Sequence, residues 1–171
     1  MATARRLVVI GGDAAGMSAA AQARRRDTEL EIIVYERSDY VSYAACGMPY
    51  LVGGQVSGPE RLIARRPEQF ARQDIQVFTG HEVTGIDTAG QQVTVAARAG
   101  ATSVEHYDEL LIATGAREVF PDIPGVDAAG VFALRGLASG IAMWDFVNDR
   151  TPQHAVVIGG GYIGLEVAEA L

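Results

Sequence analysis

The chain has 171 residues, of which 49% are hydrophobic and 20% are charged, and this balance excludes a largely disordered protein. Its net charge of −7 argues against broad nucleic-acid affinity, and no apolar run reaches the roughly 18 residues of a membrane-spanning helix. The single cysteine excludes an internal disulfide framework, and the three histidines lack ligand spacing, so no metal site is expected. We therefore expect a cytoplasmic protein without nucleic-acid or membrane partners.

The first predicted elements form a βαβ unit. Residues 7–10 are aliphatic and largely β-branched, which is typical of a buried parallel strand. Gly11 and Gly12 interrupt this run, and the alanine-rich residues 14–26 favour a helix. A second strand is predicted over residues 31–35, and it ends on Glu36. Strand, glycine turn, helix and strand within about 30 residues indicate a βαβ unit.

The middle of the chain predicts short helices followed by strands. One short helix is expected after residue 42, ending at Gly53, and another over residues 67–73, with proline in its first turn. Residues 75–97 alternate and are rich in valine and threonine, which predicts the strands of a small β-meander. A further strand is predicted over residues 107–113.

The last third of the chain repeats the opening pattern. A proline-rich linker precedes a predicted short strand over residues 131–134 and a helix over residues 137–148. Residues 155–158 then predict a strand, followed by a second glycine turn and the start of a helix over residues 165–171. This internal repeat is the most informative feature of the chain's organisation.

Both glycine turns suit a phosphate. A strand that leads through such a turn into a helix directs free backbone N–H groups and the helix dipole at an anion. The second turn matches the pattern GxGxxG fully, at Gly159, Gly161 and Gly164. The alternative is a tight strand–helix turn without a ligand.

The first turn departs from the pattern at its middle position. It has Gly11 and Gly16, but Asp13 stands where a glycine normally allows close approach to a pyrophosphate. Glu36 lies where an acid can bind a ribose diol, the alternative being a solvated residue at a strand end. The equivalent acid of the second turn would fall beyond Leu171, so NADH and NADPH both remain open.

Cys46 is the candidate redox residue. It precedes a predicted helix, and a helix N-terminus favours the thiolate form of a cysteine. Gly47 leaves the thiol uncrowded. The alternative is a small buried core residue, which is the commoner role of a lone cysteine.

Two segments carry a family resemblance in addition to the glycine turns. Residues 40–50 read Tyr-Val-Ser-Tyr-Ala-Ala-Cys-Gly-Met-Pro-Tyr, and residues 107–117 contain Ile-Ala-Thr-Gly-Ala. Together they resemble the pyridine nucleotide–disulfide oxidoreductase family over essentially the whole chain. Within it they resemble the single-cysteine branch of coenzyme A disulfide reductases, NADH oxidases and peroxidases, and persulfide reductases.

The resemblance implies an α/β fold with two nucleotide-binding parts. Residues 1–120 would form a Rossmann-like FAD-binding domain with an inserted β-meander, and residues 121–152 a linker with a short strand and a helix. Residues 153–171 would begin a second Rossmann domain, for NADH or NADPH. The resemblance also implies a homodimeric family, and we expect its dimerisation domain to be absent from this chain. We therefore expect this chain alone to bind FAD weakly or not at all and to be inactive, as a noncatalytic fragment.

The resemblance also implies residue roles. Cys46 would be the redox thiol, passing electrons from NAD(P)H and FAD to a small substrate. The implied FAD contacts are Gly11, Gly12, Gly16, Glu36, Arg37, Ser42, Thr114 and Gly115, and the implied NAD(P)H contacts are Gly159, Gly161, Gly164 and Glu166.

The substrate stays open among a disulfide, a persulfide, oxygen and peroxide. Coenzyme A disulfide reductases often have asparagine where this chain has Ala45. Ser42 and Arg25 are candidate substrate residues. The basic run at residues 24–26, which contains Arg25, lies where that branch binds coenzyme A phosphates. The alternative for this run is a solvated face at a helix C-terminus, and residues 65–66 present the same choice.

Overall fold

The computed structural model describes residues 5–171, which form two compact units. The first unit contains residues 5–43 and 65–115. The second contains residues 44–64 and 116–171.

A four-stranded parallel sheet forms the centre of the first unit. Its strands are β1 (Arg6–Ile10), β2 (Glu31–Glu36), β3 (Ile75–Thr79) and β7 (Glu109–Ile112). They lie in the order β3-β2-β1-β7, so β1 pairs with a strand on each side. Because both faces of this sheet are covered, its inner strands read as continuous aliphatic runs.

Helices cover one face of the sheet. These are α1 (Ala14–Arg26) and α3 (Pro67–Ala71). They pack on a cluster of buried side chains that alternate along the strands. This cluster contains Val9, Met17, Ala20, Ala21, Leu30, Ile32, Val34, Phe70 and Ile75.

An antiparallel sheet covers the other face. Its strands are β4 (His81–Asp87), β5 (Gln92–Ala97) and β6 (Thr102–His106), in that order. The side chains between the two sheets form a second core, which contains Val8, Ile10, Ile33, Tyr35, Val93, Val95 and Tyr107. The predicted α/β fold with an inserted meander is confirmed.

The structure corrects one strand assignment in this unit. Residues 75–79 were expected in the meander, but β3 pairs in parallel with β2. An edge strand is buried on fewer sides than a central one, so it shows the same alternation as a meander strand. The meander consists of β4, β5 and β6, of which β6 was not predicted.

The second unit is helical. It contains α2 (Met48–Val52), α4 (Leu137–Arg150) and α5 (Tyr162–Ala170), with 3₁₀ turns at Ala45–Gly47 and Pro59–Leu62. Helix α2 packs against both α4 and α5. No helix within residues 5–171 is long and apolar enough to cross a membrane.

Two predicted strands in this unit are wrong. Residues 131–134 and 155–158 are not strands in the structure. A strand exists only as part of a hydrogen-bonded ladder, and in the described part of the chain neither segment pairs with another. Val156 and Ile158 are accordingly 87% and 77% exposed.

Candidate functional site

The first glycine turn lies at the carboxyl end of β1. Gly11 has a φ of 108°, a conformation that favours glycine, and its N–H donates to the carbonyl of Tyr35 at 2.8 Å. A Cβ atom on Gly11 would collide with the carbonyl of Ala113, and one on Gly16 would collide with the carbonyl of Gly11. The turn therefore requires glycine at both positions to bring α1 close to the sheet.

Glu36 closes this turn from the neighbouring strand. Its carboxylate accepts the N–H of Gly12 at 2.8 Å and the N–H of Ser38 at 2.8 Å. A Cβ atom on Gly12 would lie 2.6 Å from Cγ1 of Val41 and 3.0 Å from Cβ of Glu36. A carboxylate has about four acceptor positions, so Glu36 can accept further hydrogen bonds, for example from two hydroxyls.

Ser42 lies beside the same turn in a strained backbone conformation. Its φ is 48°, which is uncommon for a residue other than glycine. Its N–H donates to the carbonyl of Gly12 at 2.9 Å, and its carbonyl accepts the N–H of Arg65 at 3.3 Å. These two bonds join the glycine turn to the segment that leads into α3.

The remaining residues proposed for FAD in this unit lie nearby. The N–H of Ala113 donates to the carbonyl of Ile10 at 2.8 Å, which brings Thr114 beside Gly11. Gly115 follows with a φ of 66°. Arg37 is exposed, and its carbonyl accepts a bond from Arg98 at 3.3 Å. The sequence-predicted residues thus meet at one edge of the parallel sheet, where ligands bind in open α/β folds.

A groove of about 300 Å³ runs along α1 in the first unit. It brings together Arg25 and Ser42, the two candidate substrate residues, and it adds Ser18 and Arg65. Sequence reasoning missed Ser18, although its spacing of seven from Arg25 places both on one helix face. The lining residues are Ala14, Met17, Ser18, Ala21, Arg25, Ser42, Arg65 and Phe70.

Cys46 lies in the second unit and is exposed. It is the central residue of the 3₁₀ turn Ala45–Gly47, directly before α2. Gly47 is close to Leu62, whose Cδ2 atom would lie 2.5 Å from an added Cβ. Because Cys46 is exposed, its interpretation as a buried core residue is wrong.

The second glycine turn has the backbone geometry of the first. Gly159 has a φ of 111°, and a Cβ atom on Gly164 would meet the carbonyl of Gly159. Space is open around Gly161. Glu166 lies in the second turn of α5 and is partly buried.

An ion pair and a buried aromatic side chain stabilise β2, the strand that carries Glu36. Arg6 donates from Nε to Glu31 at 2.8 Å, and this hydrogen bond raises the pKa of the Arg6 guanidinium. Burial raises the pKa of Tyr35 to about 12, so its hydroxyl is uncharged at neutral pH. The ring of Tyr35 stacks on Phe78 with centroids 5.6 Å apart.

The fold and the first glycine turn define a Rossmann-like α/β protein, and comparison with known proteins narrows this class. The family model described as pyridine nucleotide-disulphide oxidoreductase matches residues 5–171. The chain therefore belongs to that family.

Individual relatives agree with this assignment. The chain is 40% identical to the NAD(P)H sulfur oxidoreductase (CoA-dependent) of Pyrococcus abyssi, over 96% of this chain and 36% of the relative. It is 34% identical to an NADH oxidase of Lactococcus lactis, over 96% of this chain and 37% of the relative.

A solved structure shows the same fold. The crystal structure of reduced CoADR-RHD from Bacillus anthracis superposes with a TM-score of 0.94 at 36% identity, covering 98% of this chain and 31% of that one. The chain thus spans little more than a third of the length of the curated relatives described above.

Proposed function

We propose that the protein is an FAD- and NAD(P)H-dependent oxidoreductase whose Cys46 reduces coenzyme A disulfide or a related disulfide or persulfide. The observation that carries this proposal is the groove of the first unit, which unites Arg25, Arg65 and Ser42. The exposed Cys46 follows Ser42 by four residues in the sequence. The CoA-dependent relative from Pyrococcus abyssi supports a substrate of this kind.

The first glycine turn fits an FAD pyrophosphate and ribose. Glycine at positions 11, 12 and 16 lets the turn pack tightly, because an added Cβ atom would collide with neighbouring protein atoms. Helix α1 directs its positive end at this turn, which favours a phosphate. Glu36 has acceptor positions left for a ribose diol. Arg37, Ser42, Thr114 and Gly115 would complete the contacts. When bound, FAD supplies the two-electron chemistry that links NAD(P)H to a disulfide.

The second turn fits the pyrophosphate of NAD(P)H. Gly159, Gly161 and Gly164 follow the GxGxxG pattern, and Gly159 repeats the φ of Gly11. Open space around Gly161 allows a phosphate to approach the backbone. Glu166 lies on the helix that begins at this turn, and we assign it to the nicotinamide side.

Cys46 performs the thiol chemistry. Its thiolate attacks one sulfur of coenzyme A disulfide, so a Cys46–coenzyme A disulfide bond forms while the substrate's S–S bond breaks. One coenzyme A leaves as a thiolate and takes a proton from water. Two electrons from NAD(P)H then reduce the mixed disulfide and release the second coenzyme A.

Reduction of oxygen or peroxide is the second candidate function, because the chain is also related to an NADH oxidase. In the peroxide case the Cys46 thiolate attacks one oxygen and the O–O bond breaks. Cys46 is then oxidised to sulfenic acid, and the second oxygen leaves as water. Ala45 stands where coenzyme A disulfide reductases often have asparagine. The two candidate functions differ in the oxidant that reacts with the Cys46 thiolate: a disulfide or persulfide in the first, and oxygen or peroxide in the second.

The first half of this chemistry can be tested on the 171-residue chain without a cofactor. The chain is incubated with coenzyme A disulfide, and intact mass is followed together with released thiol. We expect one coenzyme A adduct per chain, one released coenzyme A, and no adduct in Cys46→Ser. If Cys46 forms no adduct with coenzyme A disulfide but is oxidised to sulfenic acid by peroxide, the second function is favoured.

We also propose that the protein acts in the cytoplasm on small-molecule substrates. An accessible lone thiol stays reduced in that compartment. The net charge of −7 gives no attraction to nucleic acid.

A further inference from the structure

We infer that Arg65 determines substrate specificity, by selecting disulfides that carry phosphate over those that do not. This inference rests on the proposed function, because it concerns the groove assigned there to the substrate. It assigns to Arg65 a role that the adjacent Arg66 does not have, although the sequence alone gives both arginines the same interpretation.

The groove presents two positive charges without a matching negative one. Arg25 and Arg65 both line it, and none of its lining residues is acidic. Within residues 5–171 neither arginine forms an ion pair with a carboxylate. In a chain of net charge −7, two uncompensated guanidinium groups on one groove favour an anionic ligand.

The guanidinium of Arg65 lies over a buried aromatic ring. Its guanidinium carbon lies 5.7 Å from the ring centroid of Phe70, a cation–π arrangement. Phe70 is only 2% exposed, so the ring beneath the guanidinium is fixed in the core. The backbone N–H of Arg65 donates to the carbonyl of Ser42 at 3.3 Å, which fixes the position of the Arg65 backbone beside the groove.

This preorganisation suits a phosphate group. A planar guanidinium can donate two parallel N–H bonds to phosphate oxygens, which an ammonium cannot do with the same geometry. Fixing the group beforehand lowers the entropy lost on binding. A substrate whose sulfur arm lacks phosphate gains nothing from Arg65.

Arg66 provides a matched control. It is exposed like Arg65 but does not line the groove. Its N–H bonds to Oε1 of Gln69 at 2.9 Å, at the start of α3, and this backbone contact survives replacement of its side chain. Arg66→Gln removes the same charge as Arg65→Gln at the next position in the chain.

The experiment measures dissociation constants of the 171-residue chain for coenzyme A, pantetheine and inorganic pyrophosphate by calorimetry. Loss of a charge-assisted contact predicts that Arg65→Gln binds coenzyme A and pyrophosphate about tenfold more weakly or worse, with pantetheine unchanged. Arg65→Lys recovers only part of this loss. Arg66→Gln matches the wild type for all three, and circular dichroism checks that each variant is folded.

The other possible results distinguish failure of the Arg65 role from failure of the proposed function. Equal losses in Arg65→Gln and Arg66→Gln, or wild-type coenzyme A affinity in Arg65→Gln, would overturn the role of Arg65 and leave the proposed function standing. Arg65-dependent binding of pyrophosphate without binding of coenzyme A would retain the phosphate contact and reject the proposed substrate. Failure of the wild type to bind any of the three would reject both.

Discussion

The two glycine turns share a backbone shape and differ in what surrounds it. Gly11 and Gly159 have φ values of 108° and 111°, and each helix approaches its turn through a second glycine. Strand β1 before the first turn is paired on both sides, whereas residues 155–158 before the second turn form no strand. The backbone conformation of each turn is therefore set by its own residues. The strands that pack around the first turn come from segments distant in sequence.

The largest expected effect comes from the same substitution in the two preceding segments. Val8 is fully buried and Val156 is 87% exposed, at equivalent positions of the repeat. Val8→Asp places a charge in the core and should cost more than about 4 kcal/mol of unfolding free energy. Val156→Asp should change it by less than about 0.5 kcal/mol. Denaturant titration measures both, and similar losses would contradict the difference in packing.

Alanine substitutions at Gly11 and Gly159 distinguish the cost of a positive φ from the cost of a steric collision. Gly11→Ala and Gly159→Ala share the cost of a positive φ, about 1–3 kcal/mol. Only Gly11→Ala also collides with the carbonyl of Ala113, which should add roughly 1–3 kcal/mol. Thermal unfolding of the two variants should show the larger loss for Gly11→Ala, and a reversed order would argue against the tight first turn.

Alkaline pH should weaken the sheet around the first turn. Tyr35 has its pKa raised to about 12 by burial, so its contribution to stability is complete below pH 10 and is lost as the pH rises towards 12. The loss should amount to at most about 1.4 kcal/mol per pH unit in that window. Tyr35→Phe should flatten the stability profile there, and the exposed Tyr162→Phe should not. An unchanged profile in Tyr35→Phe would contradict this account.

The smallest predicted effect concerns the acid that closes the first turn. Glu36→Gln keeps one acceptor oxygen but removes the charge, so it should weaken FAD binding about tenfold. Glu29→Gln, an exposed change of the same charge, should leave it unchanged. Quenching of flavin fluorescence gives both dissociation constants, and equal affinities for all three proteins would remove Glu36 from the ribose site.

The first βαβ unit could be predicted closely from sequence because its signals are local. Helix α1 spans the predicted residues 14–26, and β1 and β2 differ from prediction by one residue each. The remaining strand assignments depended on which segments pair with each other, and local sequence patterns do not specify that pairing. The alternation of β3 did not show which sheet it joins, and residues 155–158 have strand composition without a paired neighbour.

The candidate site divides in the same way. Glycine spacing and the acid at position 36 identified the first turn, since their geometry follows from the chain itself. The groove required the fold, because Arg65 is distant in sequence from the α1 residues that line the same groove. Sequence alone could not separate Arg65 from Arg66.

We propose that the first glycine turn binds FAD and that the second binds NAD(P)H. Hydrogen exchange of the 171-residue chain, with saturating FAD or NADH, tests it most directly. We expect FAD to slow exchange in residues 11–18 and 36–38 and to leave residues 159–166 unchanged, while NADH slows exchange only in residues 159–166. Protection of the second turn by FAD, or of the first turn by NADH, would contradict it.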